Sequence, residues 1–447
     1  MTNDFFENSA KRYKQEILIK PEHFNKPNIK KGLRNADGSG VVAGITQICN
    51  VHGYVMDEGE LSPVPGELTY RGYSIDDIAK SCIEDKRFCF EETAFLLLLG
   101  HLPNQKELDE FNSIIGEMRS LPEYFTEDII LKKPSQSIMN NLSRAVLALY
   151  SYDDDPDSTD IAYNIKQSVS LLAKLPIMTS YAYQAKKHYC DGESLFIHFP
   201  KPELSTAENI LHITRNDNKY TPEEAHLLDL ALMLHAEHGG GNNSTFTTRV
   251  LTSTETDIYS AISSAINSLK GPKHGGANAK VIFMMENIKA NVKDWSNENE
   301  VREYLIKILK GEAADGSGLV YGMGHAVYTV SDPRATILRN AADKLARENN
   351  RYEELSLMDT IARLTPQIMS EMKGRQMTIC PNVDFYSGFV YSMLGIPSEL
   401  YPALFANARI CGWCAHRIEE LSTSNKIIRP AYKSIISRRK YSPIGKR

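Results

Sequence analysis

From Asp76 nearly to the end of the chain, apolar residues recur at three- and four-residue spacing, the repeat of a buried helical face. This long succession of helical periods, broken at Gly and Pro, confines the chain to a mainly α fold. IDDIAKSCIED, CFEETAFLLLLGHL, QKELDEFNSIIGEM and QSIMNNLSRAVLALYSY come first. An acidic connector at 151–160 leads into a long stretch over 160–187, where Pro176 predicts a kink. Thr221-Pro222-Glu223-Glu224 is a helix start, the hydroxyl as cap and the proline at the first position. The helix behind it ends at Gly239-Gly240-Gly241, and DIYSAISSAINSLK ends at Gly271-Pro272. Helices resume at ANAKVIFMMENIKA, 299–310, 333–349 and 352–372, then in the apolar runs FYSGFVYSMLGI and SELYPALFANARICGWCAHRIEEL.

Before Asp76 the pattern differs. Residues 1–45 are Lys-rich and then Gly-rich, an arm with little core of its own. Short β-type alternation over 43–75 predicts a small hairpin, with VMDEGELSPVPG inside it read as a loop. At 447 residues the chain exceeds one simple core. More polar composition after residue 274 suggests a small domain over 275–390, inserted between 1–274 and 391–447 of a larger helical domain.

A net charge of −5 argues against nucleic acid as main partner. The run AFLLLL at 94–99 is far short of a membrane span. A polar N-terminus of mixed charge is no secretory signal, and seven scattered cysteines fit a reducing, cytoplasmic setting. Residues 426–447 carry eight Lys or Arg, Arg429 and Arg447 among them, and no acid. Cys411 and Cys414 form a lone CxxC without a second pair at zinc-ribbon spacing.

Four stretches concentrate polar chemistry. His235 and His238, spaced i, i+3 at a helix end before three glycines, are open to a metal, a structural role at the negative helix pole, or an anion. His274 sits in a Gly-lined break between helices, where missing β-carbons let backbone or ligand approach. Gly322-Met323-Gly324 precedes His325, a weak phosphate-cradle signal without a preceding strand, and Asp332-Pro333 starts the helix whose first turn holds Arg334. An arginine there opposes the helix dipole and predicts a carboxylate partner. Asp384 begins an apolar, aromatic helix, either as its cap or as a carboxyl whose burial makes it a better base. Arg409 lies in a strongly apolar helix, where an unpaired guanidinium is costly.

In order and spacing, ELTYRGYSIDDIA, LHAEHGGGNNST, GPKHGGAN, GMGHAVYTVSDPRA, NVDFYSGFVYSMLGIP, ANARICGWCAH and IIRP resemble the citrate synthase family over about residues 30–430. The resemblance implies a two-domain helical fold and condensation of acetyl-CoA with oxaloacetate, followed by hydrolysis of the citryl thioester. It implies Asp384 as the base on the acetyl methyl, His274 as donor to the thioester oxygen and His325 as donor to the oxaloacetate carbonyl. His235, His238, Arg334, Arg409 and Arg429 would hold substrate carboxylates, and Gly322 and Gly324 would contribute to the CoA site. No metal or resident cofactor is implied, the CoA thioester being a substrate. The family forms dimers in which the residue matching Arg429 enters the neighbouring site, and its small lobe closes over oxaloacetate. Gly275, Gly276, Gly322, Gly324 and Gly388 are candidate points of give.

Thr329 stands where many members carry Lys or Arg, Lys273 where a small or apolar residue is common, and Ala326-Val327 where many bacterial members have Arg-Val. The 55–66 segment is longer than usual. A 2-methylcitrate synthase using propionyl-CoA shares every residue named, so pocket volume near Asp384 decides between the two. A citryl-CoA lyase and a non-catalytic scaffold are the remaining readings.

Overall fold

The computed structural model describes residues 2–16, 29–35, 39–57, 60–423 and 426–446, which fall into two units, 1–46 and 47–447. The first unit holds helix α1 (Thr2–Glu16), a single 3₁₀ turn at Lys31–Leu33 and an isolated bridge between Arg34 and Gly40. No side chain whose burial is described there is buried, as expected of an arm without its own core. Residues 17–28 and 36–38 of that arm lie outside the described residues, as do 58–59 of the 55–66 segment and Arg447 of the basic tail.

The second unit opens with an antiparallel sheet, β1 (Cys49–Asp57), β2 (Glu60–Tyr70) and β3 (Tyr73–Ser74), in that order. The hairpin is therefore longer than its sequence suggests. VMDEGELSPVPG is not a loop, because β1 and β2 pair out to Asp57 and Glu60. Its prolines are tolerated where the ladder leaves room. β3 pairs only with Thr69 and Tyr70, and the register shifts between His52 and Tyr54, opposite Pro65.

Helices follow: α2 (Ile75–Asp85), α3 (Phe90–Leu99), α4 (Gln105–Met118), α5 (Ile138–Ala148), α6 (Ile161–Asp191), α7 (Thr206–Thr214), α8 (Pro222–His235), α9 (Asn243–Thr252) and α10 (Ile258–Lys270). Then come α11 (Ala277–Asn291), α12 (Glu298–Leu309), α13 (Pro333–Glu348), α14 (Tyr352–Lys373), α15 (Val383–Met393) and α16 (Tyr401–Thr423). α6 continues as one helix past Pro176. The predicted cap of α8 is present in full: Glu224 N–H donates to Thr221 Oγ1 at 3.2 Å and Thr221 N–H donates to Glu224 Oε2 at 2.8 Å.

The core organises around α16, which packs on α3, α6, α8, α9 and α10. Seventeen of its residues are buried, so it is enclosed on all sides. Trp413, Arg409 and Arg417 are among the largest fully buried side chains of the unit. Arg417 donates to Asn164 Oδ1 at 2.9 Å and Thr252 Oγ1 at 3.3 Å, and burial brings its pKa down to about 10. α15 packs on α11, α13 and α8, so it lies beside both α11 and the end of α8.

Candidate active site

Six helices, α8, α10, α11, α13, α15 and α16, and the loops between them meet at one cavity of about 160 Å³. That is below the roughly 300–1,000 Å³ typical of sites for drug-sized ligands and suits a small polar molecule. His235, His238, His274, His325, Arg334, Asp384 and Arg409 all line it. Gly322, Gly324 and Arg429 do not.

Arg409 is fully buried in α16. Its Nε donates to the His235 carbonyl at 2.7 Å, while both terminal nitrogens are buried without a hydrogen-bond partner. Burial lowers its pKa, yet a guanidinium remains charged. A buried cation with two unused donors is a standing demand for an anion. The second arginine already holds a carboxylate through part of its fork. Arg334 grips Asp332 through Nε to Oδ1 at 3.0 Å and a second nitrogen to Oδ2 at 2.7 Å. The carboxylate partner predicted for Arg334 is thus the cap residue of its own helix, two positions earlier.

Burial, with Arg334 and Arg409 as positive neighbours, drives His235 and His238 well below the usual imidazole range, so both are neutral. His235 Nδ1 and His238 Nε2 are buried without partners. His238 lies past the end of α8, and the i, i+3 helical face read from the sequence does not form. The turn beyond it is held by Glu237, whose Oε1 accepts the Gly239 N–H at 2.6 Å and the His416 Nε2–H at 2.9 Å. Arg249 donates to His416 Nδ1 from Nε at 3.0 Å, which assigns the imidazole proton to Nε2. Burial pushes the Glu237 carboxyl up, but His416, Arg409 and the Gly239 amide outweigh it and hold it down at about 2. Glu237 is thereby a buried counter-charge for Arg409.

His325 is carried by a loop zipped onto the start of α15. Gly324 N–H donates to Cys380 O at 2.8 Å, Asn382 N–H to Gly322 O at 2.8 Å, and Asn382 Nδ2 to Gly324 O at 3.0 Å. His325 Nδ1 accepts two backbone N–H groups, Val327 at 3.0 Å and Tyr328 at 3.1 Å. Its proton is therefore on Nε2. Burial and Arg334 lower its pKa to about 4. The hairpin backs this loop: Gly66 N–H donates to Ser331 O at 3.1 Å, and a β-carbon at Gly66 would lie 2.2 Å from that oxygen.

His274 stands in the turn between α10 and α11, its pKa lowered to about 4 by burial and Arg409. Its Nε2 lies 3.1 Å from Ser244 Oγ, which also receives Trp413 Nε1–H at 3.1 Å and reaches Asn242 Oδ1 at 2.8 Å. The single Ser244 proton goes to Asn242 Oδ1, so toward His274 the Ser244 oxygen accepts and the imidazole proton sits on Nε2. Asp384 is not the cap of α15. Asn382 is, accepting the Asp384 N–H at 3.0 Å, which leaves the Asp384 carboxyl in the first turn facing the cavity. Burial raises its pKa to about 6.

Four of the five glycines named as points of give sit where a β-carbon has no room. A β-carbon would meet Leu269 O at 2.3 Å from Gly275, Pro272 O at 2.6 Å from Gly276, Phe385 at 2.7 Å from Gly322 and Asn278 Oδ1 at 2.4 Å from Gly388. Gly324 has φ of +93° with open space around it. Lys273 is exposed, and Thr329 Oγ1 is buried without a partner. Cys411 and Cys414 are buried thiols with pKa values pushed up by that burial, Cys414 to about 12. Arg429 is exposed, and no segment of this chain carries it to the cavity.

Sequence reasoning missed Glu237, Ser244, Asn382 and the Arg249–His416 pair. The first three stand inside motifs already singled out, next to a candidate residue or a glycine. The last pair joins positions 167 apart in the chain, with no local sign.

The family model described as "Citrate synthase, C-terminal domain" matches residues 36–431. The citrate synthase of Synechocystis sp. is 37% identical over 366 residues, covering 82% of this chain and 84% of that one. The 2-methylcitrate synthase 2 of Corynebacterium glutamicum is 31% identical over 425 residues, covering 94% and 98%. Among solved structures, the ternary complex of citrate synthase from Thermoplasma acidophilum with carboxymethyl coenzyme A and oxaloacetate superposes with a TM-score of 0.74. It is 27% identical and covers 94% of this chain and 100% of its own.

Proposed function

This chain belongs to the citrate synthase family, and from that premise we propose that it condenses acetyl-CoA with oxaloacetate and hydrolyses the citryl thioester to citrate and free CoA. The observation that carries the reading is Arg409, a buried guanidinium with two unsatisfied donors facing a cavity lined by neutral histidines and one carboxyl of raised pKa.

Oxaloacetate carboxylates take the donors of Arg409, with Arg334, His235 and His238 completing the anion site. His325 presents Nε2–H to the ketone oxygen and polarises it as a neutral donor. Asp384 removes a proton from the acetyl methyl while His274 donates to the thioester oxygen as negative charge grows there; donation from Nδ1 has the Ser244 hydroxyl turn from Asn242 Oδ1 to His274 Nε2. The enol carbon then attacks the polarised ketone carbon, and water cleaves the thioester. The chemistry asks for no resident cofactor, since CoA enters as a substrate. Residues 275–390 act as a small lobe that closes over oxaloacetate before the thioester is used, with Gly322 and Gly324 on the CoA side. Arg429 works in the site of a second copy in a homodimer, which accounts for a residue exposed in its own chain.

A 2-methylcitrate synthase is the second reading, supported by the C. glutamicum relative that matches nearly the full length of this chain. Free-thiol release from acetyl-CoA and from propionyl-CoA, each with and without oxaloacetate, separates the two. Faster oxaloacetate-dependent release with acetyl-CoA is expected. Preference for propionyl-CoA moves the protein to the methylcitrate branch with the same residues, and no release from either overturns both readings.

A further inference from the structure

Three residues where α11 meets α15 take no part in the chemistry described so far. Asn278, in the first turn of α11, is buried, and its Nδ2 donates to Ser387 Oγ of α15 at 2.6 Å. Ser387 is fully buried. The next residue, Gly388, has no side chain, and a β-carbon there would stand 2.4 Å from Asn278 Oδ1. That oxygen is itself buried without a hydrogen-bond partner. Asn278 lines the cavity, and a buried amide kept half satisfied at its wall is costly and calls for a reason.

Its place in the fold supplies one. His274 lies four residues before Asn278, in the turn that leads into α11. Asp384 lies three residues before Ser387, one turn along the same side of α15. The His274 turn is also held to α10, through Gly275 N–H to Leu269 O at 2.9 Å, and to Ser244 of α9, through His274 Nε2 at 3.1 Å, and neither contact reaches α15, which carries Asp384. His325 is already tied to α15 by the Gly324 and Asn382 contacts. We propose that the Asn278–Ser387 hydrogen bond, with bare Gly388 beside it, is a positioning brace that sets His274 against Asp384. The brace makes α15 the common reference for all three candidate catalytic groups. This inference rests on reading His274 and Asp384 as donor and base in the same proton transfer.

Misplacing paired reacting groups by about 1 Å costs on the order of 100-fold in rate. Two full-length variants test the brace by different routes: Ser387→Ala deletes the acceptor, and Gly388→Ala displaces the Asn278 amide. In each, kcat with acetyl-CoA is expected to fall roughly 10- to 100-fold. KM for oxaloacetate stays within about twofold, since its ligands are untouched. The isotope effect with methyl-deuterated acetyl-CoA rises, because proton removal becomes the slow step. Parent-like kcat and isotope effect in Ser387→Ala would overturn the proposal. So would a loss of oxaloacetate affinity in step with kcat, which marks a merely structural contact. Should Gly388→Ala fail to fold, the smaller Ser387→Ala decides. Wild-type thiol release, measured independently, separates a failed brace from a failed reading of the site.

Discussion

Asp384 has lost most of its water to the cavity wall, and burial disfavours its charged form, lifting its pKa to about 6. Ionised, it is a stronger base than an exposed carboxylate. His274 and His325, both near 4, are neutral across the neutral range and do not contribute to this titration. The rate of condensation should therefore fall with a single proton as pH drops through about 6, read from kcat/KM for acetyl-CoA at saturating oxaloacetate. A profile flat down to pH 5 would remove Asp384 as the base. The same shift is a stability statement. An unfolded Asp titrates near 3.9, so the native state holds the extra proton between that value and about 6. The cost of the buried charge is absent below the unfolded pKa and fully present above the folded one. Asp384→Asn should be inactive yet more stable than the parent at pH 8, by up to ~3 kcal/mol, with the difference gone below pH 4 in urea unfolding. Arg409 poses the complementary case. Arg409→Met removes two unsatisfied donors but also the Nε bond to the His235 carbonyl and the counter-charge of buried Glu237, so the unliganded protein should lose stability, while KM for oxaloacetate rises on the order of 100-fold. Unchanged KM would show that the substrate anion sits elsewhere.

At the scale of elements, the site depends on how closely helices approach. α16 passes the end of α8 where Gly412 N–H donates to Ala236 O at 3.2 Å, and a β-carbon at Gly412 would lie 2.0 Å from Glu237 Oε2. Ala at this position must displace Glu237, and with it the Gly239 turn and the counter-charge of Arg409. Gly412→Ala should destabilise by roughly 1–3 kcal/mol, the usual cost of overpacking, and raise KM for oxaloacetate. Gly241→Ala, with nothing within 4 Å of the added carbon, serves as the neutral control. Equal denaturation midpoints for the two would contradict the packing argument. Helical periods and caps were legible in advance: the ranges Ile75–Asp85 and Gln105–Met118 match the periodic stretches residue for residue. β2 was not, because Pro63 and Pro65 are breakers in isolation and become acceptable only beside a bulge and an unpaired edge.

For the whole molecule, the exposed tail holding Arg429 carries the homodimer proposal. Arg429→Ala should raise KM for oxaloacetate without changing the molar mass seen by light scattering. A monomer in solution with full activity would refute both the assembly and the role of Arg429. Among the described residues no helix is long and apolar enough to cross a membrane.

The order of helices and most of their ends were already determined by the sequence. Periodicity, capping and motif spacing act over a few residues, and seven of the ten candidate site residues meet at one cavity. The tertiary structure alone decided how those groups are tuned. His416 meets Glu237 across 179 positions, Trp413 meets Ser244 across 169, and Asn278 meets Ser387 across 109. The charge of Glu237 follows from such a contact, and the proposed alignment of His274 with Asp384 rests on another. A contact between distant segments is fixed by the packing of the helices that carry them, and it leaves no periodic trace in either segment.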